Sequence, residues 1–477
     1  MRAADGLLLG VLDDDPTGSQ AVHGVEVVTV LEEDAYQAAL AGPAGTCFVL
    51  TNTRSLGEPA AARLNTLAAR GLLAVARRRG ARMQLVSRSD STLRGHVMAE
   101  VAALQAVRRE MAGGGYDGVL LVPAFLEAGR LTAADIHWAR TGPGLVPVGE
   151  TEFARDPAFG YTVSDLRDFV VDRSGGTIGR DDVTSIGLTD IRLGGPSRVR
   201  ELLAGVRDGQ WVVVNGTEYS DLEAVACGVL LAERAGQSFL FRTGPSFVRA
   251  LCGLGPRAPL RGGEIWPDGR RGGHGLIVAG SHTGNTNRQL AALRARGGTI
   301  GIELDVPAVM RGSGDVVAAA AQQVARALGH SDVLLYTSRA VIAGRANADG
   351  ANADGANADG ANADGANADG AGADSLAVAR RVSDALARTV RGALAAEPAW
   401  VIAKGGITSH DVARHGLGIR RATVAGQLFP GLISVFRPID AAPEAVGVPY
   451  VVFAGNVGDD GTLAQVVAIL NGEREGS

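Results

Sequence analysis

The chain has 477 residues, of which 46% are hydrophobic and only 4% aromatic, and its formal net charge is −5. This length predicts two or three domains with sizeable cores, and the charge favours neither nucleic acid nor an anionic membrane as a partner. The three scattered cysteines exclude a disulfide framework and a zinc-binding spacing, which indicates a reducing cytoplasm. The sequence shows no signal peptide and no apolar run near the roughly 20 residues that span a bilayer.

Short apolar runs alternate with helical patterns along the chain. The predicted strands are 7–12, 25–30, 46–51, 83–87, 118–123, 211–215, 238–242, 275–280, 299–304, 332–337, 399–403, 432–436 and 449–454. The predicted helices are 58–79, 97–112, 221–235, 286–296, 315–328, 375–395 and 462–471. Because this alternation is typical of parallel sheets flanked by helices, we expect two α/β domains with largely parallel sheets and an active site in the cleft between them.

The periodic pattern stops between residues 254 and 274, where the chain is rich in Gly, Pro and Arg. This composition is typical of a linker, so we predict domains over 1–255 and 273–477, joined by 256–272. Residues 346–370 are five copies of Ala-Asn-Ala-Asp-Gly. Because no apolar residue larger than Ala occurs in them, we interpret the repeat as a disordered surface loop rather than a calcium-binding repeat.

The first predicted strand ends in the acidic motif DDDPTGSQ. Asp13, Asp14 and Asp15 follow the apolar run directly, and a turn that contains Thr17 comes next. Ligands bind at the carboxyl ends of strands in open α/β sheets, where crowded carboxylates need a metal, a basic partner or a bound hydroxyl. The alternative is that one aspartate caps the next helix and the others face solvent. We favour a functional site.

Two further strand ends are polar. The motif SRSDSTLRGH follows the strand at 83–87 and supplies guanidiniums, which suit carboxylate or phosphate, with a carboxylate and hydroxyls that suit a sugar. The stretch TNTRS at 51–55 has a similar character. An N-cap with solvated arginines is the alternative. The candidate substrate-binding residues are Thr17 in the turn after the three aspartates and, at these two strand ends, Asn52, Arg54, Arg88, Asp90, Ser91 and Arg94.

Three loops in the second half combine glycines with hydroxyls at strand ends. They lie in AGSHTGNT, AKGGITS and AGNVGDDG, and their backbone N–H groups suit phosphate oxygens, so together they predict a nucleotide cleft. Glycine-rich α/β turns without a ligand are the alternative. The single lysine, Lys404, either reaches phosphate or faces solvent as an accident of codon usage. The candidate nucleotide-binding residues are Ser281, Lys404, Gly405, Gly406, Ile407, Thr408, Gly455, Asn456 and Gly458.

Together these motifs resemble those of the four-carbon acid sugar kinase family. The matching stretches, in chain order, are DDDPTGSQ, SRSDSTLRGH, GRLT, TEFARD, NGTEYSDL, AGSHTGNTNRQL, KGGITSHD and AGNVGDDG. They cover almost the whole chain except the repeat. The resemblance implies an N-terminal acid-sugar-binding domain and a C-terminal ATP-binding domain. It also implies phosphorylation of the terminal hydroxyl of a four-carbon sugar acid such as threonate, erythronate or 3-oxo-tetronate.

The chain departs from the family pattern at two places. Several members read closer to DDFTGA at the first motif, which leaves the identity of the substrate open. Ile407 stands where many members carry an acidic residue, so a metal or ribose contact must come from elsewhere.

The chemistry of the residues is compatible with phosphoryl transfer, which is mostly positioning and charge neutralisation. We expect Arg88 or Arg94 to hold the substrate carboxylate, and Asp14 to orient the attacking hydroxyl, with Asp13 and Asp15 as alternatives. Mg²⁺ would arrive with ATP, and no metal-ligand residues are assigned. The expected partners are the acid sugar and ATP, with a homodimer as the assembly.

Two other functions fit parts of the sequence. Asp13, Asp15 and Thr17 match the DxDxT signature of haloacid-dehalogenase-like phosphatases, with Asp13 as nucleophile, although Lys404 follows much too late in the chain. A regulator that binds a sugar acid without catalysis is the other alternative. A phosphatase would release phosphate without ATP, and a regulator would bind ligand without consuming ATP.

Overall fold

The computed structural model describes residues 5–142, 144–269, 272–280, 284–312, 314–338, 371–455 and 457–473. The chain divides into two compact units, Met1–Ala258 with Arg420–Gly431, and Pro259–Ile419 with Leu432–Ser477. The division therefore falls within the predicted linker. Residues 420–431 were predicted to lie in the second domain, but they belong to the first unit. The repeat at 346–370 and the candidate residues Ser281 and Asn456 lie outside the described residues.

The strands and helices are numbered in chain order. The strands are β1 (Leu8–Asp13), β2 (Glu26–Val28), β3 (Thr46–Leu50), β4 (Met83–Arg88), β5 (Gly118–Val122), β6 (Arg130–Ala133), β7 (Ile136–Thr141), β8 (Gly144–Pro147), β9 (Thr184–Ile186), β10 (Gln210–Val214), β11 (Phe239–Thr243), β12 (Leu276–Ala279), β13 (Thr299–Leu304), β14 (Asp332–Thr337), β15 (Val401–Lys404), β16 (Arg421–Phe429), β17 (Leu432–Asp440) and β18 (Tyr450–Phe453). The α-helices are α1 (Glu33–Leu40), α2 (Glu58–Arg78), α3 (Val97–Ala112), α4 (Leu166–Arg173), α5 (Leu188–Leu203), α6 (Tyr219–Arg234), α7 (Pro245–Cys252), α8 (Gly284–Arg296), α9 (Val306–Met310), α10 (Gly314–Leu328), α11 (Ala371–Ala393), α12 (Gly406–Asp411) and α13 (Thr462–Leu470).

The first unit is built on a largely parallel sheet with the strand order β16-β2-β3-β1-β4-β11-β5-β10-β9. Only β16 runs antiparallel to its neighbour β2 in this unit's sheet, as far as the described strands show. Every residue of β1 is buried, because helices cover both faces of a parallel sheet. Strands β6, β7 and β8 form a separate antiparallel ribbon.

The second unit has the strand order β13-β14-β12-β15-β18-β17. The described pairs are parallel except that β17 runs antiparallel to β18. Strands β12, β15 and β18 are buried along their whole length, and apart from Lys404 at the end of β15 they consist of aliphatic and aromatic residues. The prediction of two α/β domains with largely parallel sheets is confirmed.

The sequence interpretation missed the elements with weak apolar patterns. They include the β6–β8 ribbon, β9, β16 and six helices, of which α5 is the clearest example. Gly195 has a φ of 63° inside α5 and Pro196 follows it, so the helix is kinked and its periodicity is interrupted. Among the described residues, none of the helices is long and apolar enough to cross a membrane.

Candidate functional site

The strand order reverses once in the sheet of each unit. In the first, β2 and β3 lie on one side of β1 while β4 lies on the other; in the second, β13 and β14 lie on one side of β12 while β15 lies on the other. Ligands of open α/β sheets bind at the carboxyl ends of the strands where the order reverses. The acidic motif begins at Asp13, the last residue of β1, and the first glycine loop follows β12. Each predicted site therefore lies at a reversal point.

Asp13 and Arg88 end the neighbouring strands β1 and β4, where their Cα atoms pair in register. Arg88 Nη1 donates to Asp13 Oδ1 over 2.8 Å, and both side chains are buried. The second oxygen, Asp13 Oδ2, is buried too and has no hydrogen-bond partner among the described residues. Burial raises the pKa of Asp13 to about 7 against the opposing effect of Arg88. A carboxyl that titrates near neutral pH suits a general base.

Arg54 joins the other two aspartates. Its Nη2 donates to Asp14 Oδ1 over 2.7 Å, and its Nη1 lies 3.2 Å from Asp15 Oδ2. Burial raises the pKa of Asp14 even though Arg54 opposes it. Burial alone would also raise the pKa of Asp15, but Arg54 and two hydrogen bonds from Thr17 hold it below its usual value. Three successive carboxylates thus have different tendencies to bind a proton.

The turn after the acidic motif closes tightly on the Asp13–Arg88 pair. A Cβ atom at Gly18 would lie 2.2 Å from Asp13 Oδ2 and 2.3 Å from Arg88 Nη1. No side chain fits at those distances, so the backbone approaches the pair only because residue 18 is glycine.

The loop after β4 is held together by Asp90. Arg94 Nε donates to Asp90 Oδ2 over 2.7 Å, and Thr92 Oγ1 donates to the same oxygen. Arg94 Nη1 also donates to Asp156 Oδ2 over 3.3 Å. Burial opposes ionisation, but Arg94 and Arg54 hold the pKa of Asp90 below its usual value. Asp90 is therefore an ionised partner of two arginines rather than a helix cap.

A buried ion pair that sequence reasoning missed adjoins these groups. Arg242 Nη1 donates to Glu100 Oε2 and, over 2.6 Å, to Ser87 Oγ. Glu100 also accepts hydrogen bonds from Thr53 Oγ1 over 2.5 Å and Asn65 Nδ2 over 3.3 Å. The sequence does contain a sign of this ion pair, because Arg242 lies inside the apolar strand FLFRT. A charge in a buried strand needs a charged or polar partner.

The β6–β8 ribbon and the segment after it fix the loop that follows β4. His137 Nε2 donates to the Ser91 carbonyl over 2.8 Å, and the Tyr161 hydroxyl donates to the Thr92 carbonyl over 2.5 Å. Burial lowers the pKa of His137 to about 4, so the neutral ring accepts from Thr132 Oγ1 at Nδ1, over 2.9 Å. The backbone around the candidate ligand Ser91 is therefore fixed by groups that the sequence interpretation left unassigned.

Phe153 contacts two guanidiniums of this site. The Cζ atoms of Arg94 and Arg130 lie 5.3 and 5.5 Å from the centroid of its ring. Arg130 was not predicted as a site residue, although the GRLT stretch that contains it belongs to the resemblance described above. Phe153 lies in a single 3-10 turn, Glu152–Arg155.

Direct ion pairs or side-chain hydrogen bonds connect most of the candidate residues of the first unit to one another. The connected residues are Asp13, Asp14, Asp15, Thr17, Arg54, Arg88, Asp90 and Arg94. Asn52 joins them through its backbone, whose N–H donates to the Asp13 carbonyl over 3.3 Å.

In the second unit, the three predicted glycine loops begin side by side. Ala279, Lys404 and Phe453 end β12, β15 and β18 and pair in register, so each loop leaves the sheet at the same edge. Gly405 has a φ of 106°, which favours glycine, and leads into α12. A Cβ atom at Gly280 would lie 2.5 Å from Thr408 Oγ1 of that helix, so the first two loops are in close contact.

Side chains of α8 hold the third loop. Asn285 Nδ2 donates to the Gly458 carbonyl over 3.2 Å, and Thr286 Oγ1 donates to the Gly455 carbonyl over 3.2 Å. Gln289 Nε2 donates to two further carbonyls of the same loop, over 3.0 and 2.7 Å. The first and third loops therefore form one hydrogen-bonded structure.

Lys404 is fully buried, so the alternative that it faces solvent is wrong. Its Nζ donates to the carbonyls of Ala454 and Gly455 over 3.1 and 3.3 Å and lies 4.0 Å from the centroid of the Phe453 ring. Burial lowers the pKa of Lys404 to about 7. The amine therefore stabilises the third loop by donating hydrogen bonds to two of the loop's backbone carbonyls.

The described residues offer little to a protein-bound metal ion. Among them, no group of three or more His, Cys, Asp and Glu side chains is arranged to hold one. The carboxylates of the candidate site in the first unit form ion pairs with arginines instead.

Both halves of the chain match known domain families. Residues 9–251 match a sugar-binding N-terminal domain, and residues 276–463 match a nucleotide-binding C-terminal domain. A solved structure from Salmonella typhimurium LT2, named a putative tRNA synthase, is 17% identical, with a TM-score of 0.63 over 97% of this chain and 98% of its own. A Haemophilus influenzae protein is 16% identical, with a TM-score of 0.59 over 96% and 99%. No curated protein sequence matches the chain.

These matches define a two-domain protein with one domain for a sugar and one for a nucleotide. The chain belongs to the four-carbon acid sugar kinase family. At identities below 20%, the two solved structures show a shared fold and nothing finer.

Proposed function

We propose that this protein is an ATP-dependent kinase that phosphorylates the terminal hydroxyl of a four-carbon sugar acid. The observation that carries the proposal is the cluster of carboxylates and guanidiniums at the strand reversal of the sugar-binding domain. Such a cluster suits a ligand with several hydroxyls and one negative charge, because carboxylates accept from hydroxyls and guanidiniums donate to a carboxylate. Phosphoryl transfer then requires mainly that this ligand be held against the γ-phosphate.

Asp14 is the proposed base. Arg54 Nη2 donates to its Oδ1 over 2.7 Å, and Arg54 Nε donates to its Oδ2 over 3.4 Å. The longer bond leaves Oδ2 the weaker held of the two oxygens, so we assign Oδ2 to accept from the substrate hydroxyl. As the hydroxyl oxygen attacks the γ-phosphorus, its proton passes to Asp14 and the bond to the ADP oxygen breaks. Burial raises the pKa of Asp14 and so favours acceptance of that proton.

Asp13 is the alternative base. Its Oδ2 has no partner among the described residues, and burial raises its pKa to about 7, but the turn at Gly18 covers that oxygen. Asp15 is the weakest candidate, because its pKa lies below the usual value. We assign it to orienting Arg54, which lies 3.2 Å from it.

ATP is proposed to bind at the three loops of the second domain. Backbone groups of these loops would meet the phosphates, with Lys404 keeping the third loop in place. Mg²⁺ would arrive with ATP and neutralise phosphate charge. The proposed contacts among the described residues are Gly405, Gly406, Ile407, Thr408, Gly455 and Gly458.

The proposal is tested by coupled ADP release over the isomers of threonate, erythronate and 3-oxo-tetronate. We expect ADP release that requires one of these acids in the wild type and is lost in Asp14→Asn. Phosphate release from phosphoesters without ATP would instead favour the phosphatase, and ligand binding without turnover of ATP would favour the non-catalytic regulator. A cytoplasmic location and a homodimer stay predictions.

A further inference from the structure

The arginines of the sugar-binding site differ in how fully the protein neutralises them. Arg54 contacts two aspartates within 3.2 Å, and Arg88 contacts Asp13 at 2.8 Å. Arg94 lies 2.7 Å from Asp90 and also donates to Asp156. The guanidiniums that the sequence motifs suggested as anchors are therefore already paired with carboxylates of the protein.

Arg130 is the exception. It is partly buried at the start of β6, yet it forms no ion pair within 4.0 Å among the described residues. Its Nη1 donates to the Ala128 carbonyl over 2.6 Å, and this hydrogen bond fixes the position of the Nη1 group. Its Nε is buried without a hydrogen-bond partner among those residues. Such a donor costs free energy until an acceptor reaches it.

The position of Arg130 ties it to the rest of the site. The ring of Phe153 lies against both Arg130 and Arg94, with their Cζ atoms 5.5 and 5.3 Å from its centroid. The charges of Asp90 and Arg94 also act on Arg130, and burial lowers its pKa. A guanidinium that has no counter-ion within the described part of the chain therefore lies beside groups suited to sugar hydroxyls.

We propose that Arg130 is the anchor for the carboxylate of the sugar acid and that it selects acids over neutral polyols. This inference takes from the proposed function only that the ligand is a sugar acid. Arg130 replaces Arg88 and Arg94 as the expected anchor, because their charges are already balanced. The substrate carboxylate would accept from the Nε edge of the guanidinium, and Phe153 would hold the guanidinium in orientation.

The inference is tested by calorimetric titration of the wild type, Arg130→Ala and Arg140→Ala with each sugar acid, without nucleotide. Arg140 is an exposed arginine on the neighbouring strand β7 and serves as the matched control. We expect Arg130→Ala to weaken binding of the acid by roughly 30-fold or more, the scale for removing one member of a buried charge pair. Arg140→Ala is expected to bind as the wild type does.

Neutral four-carbon polyols, threitol and erythritol, separate an anchor from a structural role. If Arg130 contacts the carboxylate, Arg130→Ala loses affinity for the acid and keeps its affinity for the polyol. Equal losses for both ligands, or unchanged affinity for the acid, would overturn the inference. A wild type that binds no sugar acid would overturn it as well.

The same titration distinguishes this inference from the kinase proposal. If the wild type binds a sugar acid through Arg130 but releases no ADP when ATP is added, the anchor stands and the kinase activity is refuted. If ADP release is normal while Arg130→Ala binds the acid like the wild type, the kinase activity stands and the anchor is refuted.

Discussion

Asp13 and Arg88 occupy paired positions at the ends of two parallel strands, with 2.8 Å between Oδ1 and Nη1. Both side chains are buried, and the turn at Gly18 covers them. The position of the first aspartate is thus set by strand register and by one glycine. The next two aspartates, Asp14 and Asp15, share Arg54 instead.

The first prediction concerns Asp14. Asp14→Asn keeps the size of the side chain, but its amide cannot accept a proton, so kcat should fall by at least roughly 100-fold while the protein stays folded. Steady-state kinetics and a thermal melt test this. The matched variants Asp13→Asn and Asp15→Asn should each retain more activity; if Asp13→Asn is the one that abolishes turnover, the base is Asp13.

The second prediction is a pH dependence of stability. The pKa of Asp13 is raised from 3.8 to about 7, so between these values the folded protein binds a proton that the unfolded chain has lost. Asp13 therefore makes the protein less stable as pH rises from about 4 to about 7, and its effect is constant above that. Asp13→Asn cannot ionise. The free energy of unfolding of Asp13→Asn minus that of the wild type should therefore increase by at least about 1 kcal/mol between pH 5 and pH 7.

Urea unfolding at several pH values measures this difference. Glu33→Gln, which removes an exposed carboxyl, is the control and should follow the wild-type curve. Parallel curves for Asp13→Asn and the wild type would show that Asp13 is ionised throughout this range.

The third prediction is that Gly18→Ala destroys the site. The added Cβ would lie within 2.3 Å of both Asp13 and Arg88, so the turn must move and the pair must separate. Turnover should fall to background in the ADP-release assay. Gly57→Ala is the control, because it meets nothing within 4 Å and has a φ of −68°, which alanine adopts freely. Activity in Gly18→Ala close to that of Gly57→Ala would contradict the geometry of the turn.

The fourth prediction concerns Lys404. Removing its amine in Lys404→Ala takes one donor away from each of the carbonyls of Ala454 and Gly455 and so loosens the third loop. The KM for ATP should therefore rise by roughly 10-fold or more. Lys404→Arg should restore only part of the loss, because a planar guanidinium does not fit a fully buried position shaped for an amine. If both variants bind ATP normally, the loop does not depend on Lys404.

The fifth prediction is that deletion of residues 346–370 leaves activity nearly unchanged. Their composition offers no apolar group larger than Ala, and the length of a flexible loop costs little free energy. The KM for ATP of the shortened protein tests this. Loss of ATP binding would show that the repeat contributes to the fold.

Much of the fold could be predicted from the sequence because the central strands are fully buried on both faces. The run at 7–12 is aliphatic for that reason, and β1 lies at Leu8–Asp13. Strand β16 was missed, because its arginine, threonine and glutamine break the apolar run. Its pairing with β2 also depends on residues nearly 400 positions apart in the sequence. Local patterns carry no information about such a contact.

The sequence predicted which residues belong to the candidate site, but not which arginine pairs with which carboxylate. Strand ends marked by carboxylates and guanidiniums identified Asp13, Arg54 and Arg88, since parallel strands end at one edge. Which arginine neutralises which carboxylate depends on register and on side-chain geometry. For that reason the ion pair of the buried Arg242, and the lack of a carboxylate partner for Arg130 among the described residues, emerged only from the structure.

The central claim is transfer of phosphate from ATP to a hydroxyl of a four-carbon sugar acid, and identification of the product tests it most directly. The wild-type protein is incubated with ATP, Mg²⁺ and each sugar acid, and the products are analysed by phosphorus NMR and mass spectrometry. We predict a phosphomonoester of one sugar acid, formed in equal amount with ADP and absent with Asp14→Asn. ADP formed together with free phosphate and an unmodified acid, for every acid in the panel, would contradict the claim.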